Sequence, residues 1–313
     1  MTIKRVAVAG AGTMGQGLAQ TIARSGLEVL LIDSDESLVK KAIEKIGFSM
    51  NAEIARWGLT ESEKRAILSR ITTTTKLEEA KSCQIVIETI PEKICMKKEI
   101  FSKLDQICPP ETVLITNTAT LSVTEIAAAA KNQSRIIGVH FLNPVPKTSI
   151  AELVRGRLTS DSVFETTKRF LKMIEKTPVH VFECPGYITT RITLPMINEA
   201  IRVLAEGIAP CADIDNTMKL GIGLNMGPLS LADIIGLDTI VSWMENLHTE
   251  TGEMTYVPAK LLRKMVRLGW YGAKSGRGFY RYDSEGRRIE NSGVSPCELS
   301  MNTSSTITQE QKK

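Results

Sequence analysis

Three glycines, Gly10, Gly12 and Gly15, stand at G-x-G-x-x-G spacing directly after the apolar run Val6-Ala7-Val8-Ala9. Backbone this free of side chains can turn tightly and bring N–H groups against a pyrophosphate. Gly10 allows the turn, Gly12 the approach of the phosphates, and Gly15 the close packing of the next helix on the strand. Thr13 and Met14 lie within the same spacing, where a helix N-terminus presents N–H groups and positive dipole to a bound anion. A second apolar run ends in Asp33, at the distance where an acidic residue bonds the adenosine ribose hydroxyls. A carboxylate there repels a 2′-phosphate, and Ser34-Asp35-Glu36 brings no arginine beside it, so the pattern predicts NAD over NADP. The bland alternative is a doubly wound domain without a nucleotide. A strand before the glycines, a helix after them and an acid-terminated second strand together weigh against it.

The second chemical group is Gly138-Val139-His140-Phe141-Leu142-Asn143-Pro144-Val145-Pro146, followed by Ile150-Ala151-Glu152. His140 ends a strand of an open sheet, the edge at which such folds bind ligands. Glu152 on the next strand is placed to bond the far ring nitrogen, fixing the tautomer and stabilising imidazolium as it forms. Pro144 and Pro146 stiffen the connection between the two. An isolated histidine is more often structural. A nucleotide site on the same sheet and a glutamate in register turn the reading toward general acid–base chemistry.

The elements that must position these groups alternate. Strands are predicted at 5–9, 28–32, 85–89, 113–116, 136–140, 150–154 and 179–182, with helices between them, for example at 15–24 and 96–107. This is the pattern of an α/β Rossmann-type domain with a mainly parallel sheet and helices on both faces, spanning residues 1–183. A helical insertion near 39–70 interrupts it, its arms joined near Gly58-Leu59-Thr60, where Thr60 and Glu63 form a capping box. From Cys184-Pro185-Gly186 onward the periodicity is only helical, which predicts an all-α second domain over 184–282. Its apolar residues Leu194, Met196, Ile197, Ile201 and Leu204 exceed what one face needs, which suits a core and also a homodimer interface. Residues 283–313 lose apolar periodicity and read as a flexible tail.

Composition narrows the function classes. The 313-residue chain is long enough for two domains, and its net charge of +4 is spread over helix faces, leaving no nucleic-acid footprint. Six cysteines form no C-x-x-C pair and no metal-ligand spacing with the three histidines, so no metal site is expected and the thiols fit a reducing cytoplasm. The chain enters its first strand near residue 3 without a signal peptide, and no apolar run is long enough to span a membrane.

At this density of motifs the chain resembles the L-3-hydroxyacyl-CoA dehydrogenase family, especially its bacterial 3-hydroxybutyryl-CoA members. The resemblance is carried by residues 10–17, 87–97 and 140–152, by Thr116-Asn117-Thr118, and by Pro185-Gly186-Tyr187. Met226-Gly227-Pro228-Leu229, Ala232-Asp233-Ile234-Ile235-Gly236-Leu237-Asp238 and Ser275-Gly276-Arg277-Gly278-Phe279-Tyr280 extend it. These pieces are collinear over residues 3 to about 282. The resemblance implies an NAD-dependent dehydrogenase with a helical dimerisation domain and a site in the cleft between the domains. It implies that His140 removes the hydroxyl proton while hydride passes from C3 to NAD, with Glu152 orienting His140. Glu92, Lys97 and Asn117 fall on positions that contact the nicotinamide half of the cofactor. Ala119, Asn143 and Thr190 fall on substrate-contact positions. Read without the family, Glu92 and Lys97 are surface charges and Asn117 a turn residue.

The chain also departs from the family pattern. Asn117-Thr118-Ala119-Thr120-Leu121 replaces the usual Asn-Thr-Ser-Ser-Leu, and Ala119 lacks the hydroxyl that bonds the substrate's reacting oxygen. Thr190 stands where the family has a pocket-lining asparagine, and Tyr187 where it has phenylalanine. Each lost buried hydrogen bond costs about 1–3 kcal/mol, roughly tenfold or more in rate. The hairpin stretch 48–58 carries one basic residue, Arg56, beside Trp57, where relatives that hold CoA cluster lysines. Three readings follow: a 3-hydroxyacyl-CoA dehydrogenase, favoured by the family; a dehydrogenase of a small hydroxyacyl unit, such as glyceryl, on an acyl carrier protein in polyketide extender-unit synthesis; and an NAD-binding structural protein with little turnover. Trp57 is either part of a protein-docking surface or a cap on the helical hairpin.

Overall fold

The β-branched and apolar runs of the first half are buried on both faces, as strands in a sheet covered by helices must be. The computed structural model describes residues 2–284 and 286–294. The chain divides into two compact units at 188/189. In the first, β1 (Arg5–Ala9), α1 (Thr13–Arg24), β2 (Glu28–Ile32), α2 (Glu36–Ile54), α3 (Glu61–Ser69), β3 (Ile71–Thr74), β4 (Ile85–Glu88), α4 (Ile94–Ile107) and β5 (Val113–Thr116) follow in turn. Then come α5 (Val123–Ala127), β6 (Ile136–Phe141), β7 (Ile150–Arg155), α6 (Asp161–Met173) and β8 (Thr177–Phe182). They form one eight-stranded sheet in the order β3-β2-β1-β4-β5-β6-β7-β8. The switch point lies at β1, where the order runs out to β2 and β3 on one side and to β4 on the other, the place where open sheets bind ligands.

All neighbouring strands are parallel except β6 and β7. The connection between those two is too short for a helical crossover, so the chain must return antiparallel. This single reversal sets the register that pairs His140 directly with Glu152. Gly138, two residues earlier on β6, is required by packing: a Cβ there would lie 2.5 Å from Val123 at the start of α5.

Strand β3 is absent from the sequence expectation. It is a short edge strand, Ile-Thr-Thr-Thr, with two exposed positions, so it offers β-branched residues but no apolar alternation. The helical insertion does form, as α2 and α3. Glu63 Oε2 accepts from Thr60 N at 2.8 Å and Thr60 Oγ1 accepts from Glu63 N at 3.2 Å, the capping box read from the sequence. At the hairpin tip Trp57 is 97% exposed in a left-handed backbone conformation (φ 59°), so it caps nothing.

The second unit contains α7 (Thr189–Ala205), α8 (Cys211–Ile222), α9 (Pro228–Ile235), α10 (Leu237–Thr251) and α11 (Lys260–Arg267). Leu194, Ile197, Ile201 and Leu204 lie in its core and Met196 is half-buried, while Ile192 of the same helix is exposed. Its motif residues are architectural. Asp233 accepts from Phe279 N and Tyr280 N at 2.9 Å and from Tyr282 Oη at 3.0 Å. A Cβ on Gly278 would lie 1.9 Å from the same carboxylate. Asp215 accepts from Leu229 N, Ser230 N and Tyr280 Oη at 2.8–2.9 Å. The expectation of a free tail from 283 fails for residues 286–294. The Arg288 guanidinium lies 4.6 Å over the Tyr280 ring and donates to Ser230 Oγ, while Val294 is buried and bonds Phe279 and Cys211 through its backbone. Residues 295–313 of that tail lie outside the described residues.

Candidate active site

Strand β1 delivers the chain into the glycine turn. Gly10 sits at φ 116°, and a Cβ there would meet Thr89 Oγ1 at 2.7 Å. Gly15 is tighter still: its Cβ would lie 1.8 Å from the Gly10 carbonyl oxygen, so only glycine lets α1 start this close to the strand. Gly12 differs. A Cβ added to it would meet no atom within 4 Å, so the space over it is open. Thr13 and Met14 form the first turn of α1 beside that space. Asp33, just beyond β2, accepts from Ala11 N at 2.7 Å with one oxygen and from Ser34 N at 2.8 Å with the other, which brings its carboxylate to the lip of the turn. An open cradle of N–H groups with an acid at its lip suits an adenine dinucleotide.

On β6 and β7, His140 Nδ1 and Glu152 Oε2 are 2.6 Å apart and both side chains are buried. The second carboxylate oxygen accepts from Ile188 N at 3.1 Å. Glu152 is therefore held at both ends, and through Nδ1 it fixes the imidazole plane. Tyr187 packs its ring 5.9 Å from that of His140, and its hydroxyl donates to the Leu121 carbonyl at 3.1 Å. Burial, with Glu92, Glu183 and Glu152 nearby, pushes its phenol well above the ordinary range, so it remains a donor.

The turn 117–121 after β5 is organised by Glu92. Its Oε1 accepts from Thr118 Oγ1 at 2.6 Å, Ala119 N at 2.8 Å, Thr120 N at 2.9 Å and Thr120 Oγ1 at 3.1 Å. The Thr120 hydroxyl is thus turned into this network and does not stand in for the serine missing at Ala119, which is itself buried. Lys97 is 0% exposed. Its Nζ lies 2.6 Å from Glu88 Oε1, 2.9 Å from the Asn117 carbonyl and 3.6 Å from Glu92 Oε2. The Glu88 carboxyl is raised by burial, against which Lys97 and the Thr116 hydroxyl act. Asn117 accepts from Phe141 N at 3.1 Å through its side chain, tying the end of β5 to β6 beside His140. Glu92, Lys97 and Asn117 are brought together as a brace behind the 117–121 turn, with Lys97 enclosed. Glu88 was not singled out. Its signal was a glutamate at the end of an otherwise apolar strand, nine residues before a lysine. Asn143 is exposed and precedes Pro144 through a cis peptide bond; Thr190 is buried in the first turn of α7, in the second unit.

An open doubly wound sheet, a glycine turn with an acid at its lip and a buried histidine–carboxylate pair on the same sheet define an NAD-dependent oxidoreductase. Residues 5–184 match the NAD-binding domain of 3-hydroxyacyl-CoA dehydrogenase, and 186–282 match the C-terminal domain of that enzyme. The chain belongs to the 3-hydroxyacyl-CoA dehydrogenase family. It is 44% identical over 285 residues to the probable 3-hydroxybutyryl-CoA dehydrogenase of Bacillus subtilis, covering 91% of this chain and 99% of that one. It is 40% identical over 279 residues to 3-hydroxybutyryl-CoA dehydrogenase of Clostridioides difficile, covering 89% and 99%. Among solved structures, (S)-3-hydroxybutyryl-CoA dehydrogenase of Ralstonia eutropha superposes with a TM-score of 0.81 at 41% identity, covering 90% of this chain and all of the other.

Proposed function

We propose that this protein interconverts a short 3-hydroxyacyl thioester of CoA and its 3-oxoacyl form, with His140 as the general base. The observation that carries the reading is the buried 2.6 Å His140–Glu152 contact, set by the one antiparallel register of the sheet that also bears the glycine turn. In the oxidative direction His140 Nε2 takes the proton of the C3 hydroxyl as the C3 hydrogen leaves with its electron pair. NAD, when bound, accepts that hydride. Glu152 holds the ring through Nδ1 and stabilises the imidazolium that results. In the reductive direction the same proton is returned to the substrate oxygen. Gly12 and the first turn of α1 bind the pyrophosphate, and Asp33 the adenosine ribose. Glu92, Lys97 and Asn117 act as positioning residues for the 117–121 turn and for β6. The close relatives are named for CoA substrates, which favours CoA over a carrier protein.

The chain functions as a homodimer in this reading. Ile208, Leu220 and Ile222 of the helical unit are exposed, Leu220 by 85%, and contact with a second copy would cover them. The cysteine usage suits a cytoplasmic enzyme; Cys83, Cys95, Cys108 and Cys211 are free thiols. No helix among the described residues is long and apolar enough to cross a membrane.

The test is the initial rate of NADH oxidation with acetoacetyl-CoA, in the wild type and in the Ala119→Ser/Thr190→Asn double variant. A fast wild type, or a slow one raised at least tenfold by restoring the two polar groups, supports the assignment. A wild type that binds NADH but turns over no hydroxyacyl or oxoacyl thioester, even with both changes, overturns it.

A further inference from the structure

On the first unit, beside the C-terminal half of α1, lies a polar cleft of about 280 Å³. Its walls are α1, the connection between β6 and β7, and the turn into β8, represented by Arg24, Ser25, Lys147, Ser149, Glu175 and Lys176. The nucleotide turn is at the opposite end of α1. At about 1.5 Å of rise per residue, the last turn of this 12-residue helix is roughly 15 Å from Thr13. The cleft is separate from the glycine cradle.

Lys176 is the unusual member. It is only 5% exposed, yet no carboxylate among the described residues comes within ion-pair distance of its ammonium. Of its three N–H donors, one goes to the Val145 carbonyl at 2.6 Å and a second to the Thr148 carbonyl. Burial depresses its pKa, and Glu175 only partly opposes that effect. A buried cation without a counter-charge is costly unless something supplies one. Lys147 stands exposed on the same rim. Arg24 adds a third positive charge, though it is shared with Glu53 at 2.9 Å. Glu175 and the negative end of the α1 dipole oppose an anion, so the net attraction rests on Lys176 and Lys147.

We propose that this cleft is a binding site for a small phosphate dianion, either inorganic phosphate or the phosphate group of a small monoester, with Lys176 as its buried anchor. Ammonium groups and hydroxyls are suitable partners for a compact, multiply charged oxyanion. The volume lies just below the range of sites for drug-sized ligands, and a phosphate fits within it.

The experiment is a thermal-stability titration of the NAD-saturated protein with inorganic phosphate and, in a parallel arm, with glycerol phosphate. Sodium chloride at equal ionic strength is the control. Saturating NAD keeps phosphate from the glycine turn. The expected result is a phosphate-specific rise in the unfolding midpoint whose apparent Kd weakens about tenfold in Lys147→Ala. Lys147 is exposed, so that variant keeps the fold. Lys103→Ala, on the exposed face of α4, should leave the titration unchanged. Preference for glycerol phosphate identifies a monoester as occupant; equal response identifies the free ion. No rise beyond the chloride control, or a rise of the same Kd in Lys147→Ala, overturns the proposal.

Discussion

Replacing Glu152 by glutamine tests whether the buried pair performs chemistry. The side chains of His140 and Glu152 are 7% and 1% exposed and their polar atoms are 2.6 Å apart, so water neither screens the contact nor replaces it. Glutamine keeps the size and one acceptor oxygen but removes the charge that stabilises imidazolium. The difference between a charge-assisted and a neutral hydrogen bond at such a site is about 1.5–3 kcal/mol. If that difference is felt fully in the transition state, kcat falls roughly 10- to 150-fold. NAD affinity should not change, because the glycine turn and Asp33 follow β1 and β2, and β4, β5 and β6 lie between them and Glu152 on β7. One complication comes from the structure itself: Glu152 also accepts from Ile188 N, so an amide –NH₂ must face one of its two donors. Glu152→Asp serves as the control, since it keeps the charge while shortening the reach. The assay is steady-state NADH oxidation with acetoacetyl-CoA, alongside NADH binding by fluorescence. A kcat within threefold of wild type would refute the role given to the pair. So would a parallel loss of NADH affinity, which would mean that Glu152 supports the domain and not the reaction.

The glycine turn gives a paired prediction. Gly15→Ala forces a Cβ to within 1.8 Å of the Gly10 carbonyl and should lower stability by about 1–3 kcal/mol or more, read by urea unfolding. Gly12→Ala meets no protein atom and should fold normally while weakening NAD binding at least tenfold by calorimetry; unchanged affinity would remove the pyrophosphate from that space. Lys97→Met leaves Glu88 buried without its cation and should cost about 3–5 kcal/mol in stability, most of it recovered by adding Glu88→Gln. A Lys97→Met protein of normal stability but poor NAD affinity would show that Lys97 contacts the cofactor after all. Asp233 is pushed up from 3.8 to about 7 by burial, so the folded state holds a proton that the unfolded state has lost between those values. Its contribution is complete below about pH 4 and is lost as pH rises through 7, a slope of at most about 1.4 kcal/mol per pH unit. Unfolding measured from pH 5 to 8 should show this decline, and Asp233→Asn should flatten it whatever its own baseline cost.

The features legible in the sequence are those that depend on backbone or on strand register. The glycine spacing announces itself because only glycine tolerates Gly10's positive φ and Gly15's contact with the Gly10 carbonyl. His140 and Glu152 are paired in the sequence by their places on successive strands; the antiparallel return that sets them opposite each other is seen only in the fold. The residues misjudged are charged ones whose direction a sequence does not record. Lys97 reads as a surface charge or a ligand contact. In the fold it is not a surface charge, because Glu88 at the end of β4 and the Asn117 carbonyl enclose it. Val294 and Arg288 sit in a polar stretch without period, and only the aromatic surface of Tyr280 and the Phe279 backbone give them a place to dock. The same distinction bears on the altered substrate positions. Ala119 donates its backbone N–H to Glu92 as a serine would, so the turn keeps its shape while losing a hydroxyl. The brace of Glu92, Lys97 and Glu88 thus holds the wall of the site independently of the side chain at 119. A change of substrate preference can accumulate there without disturbing the His140–Glu152 pair, which belongs to a different register of the sheet.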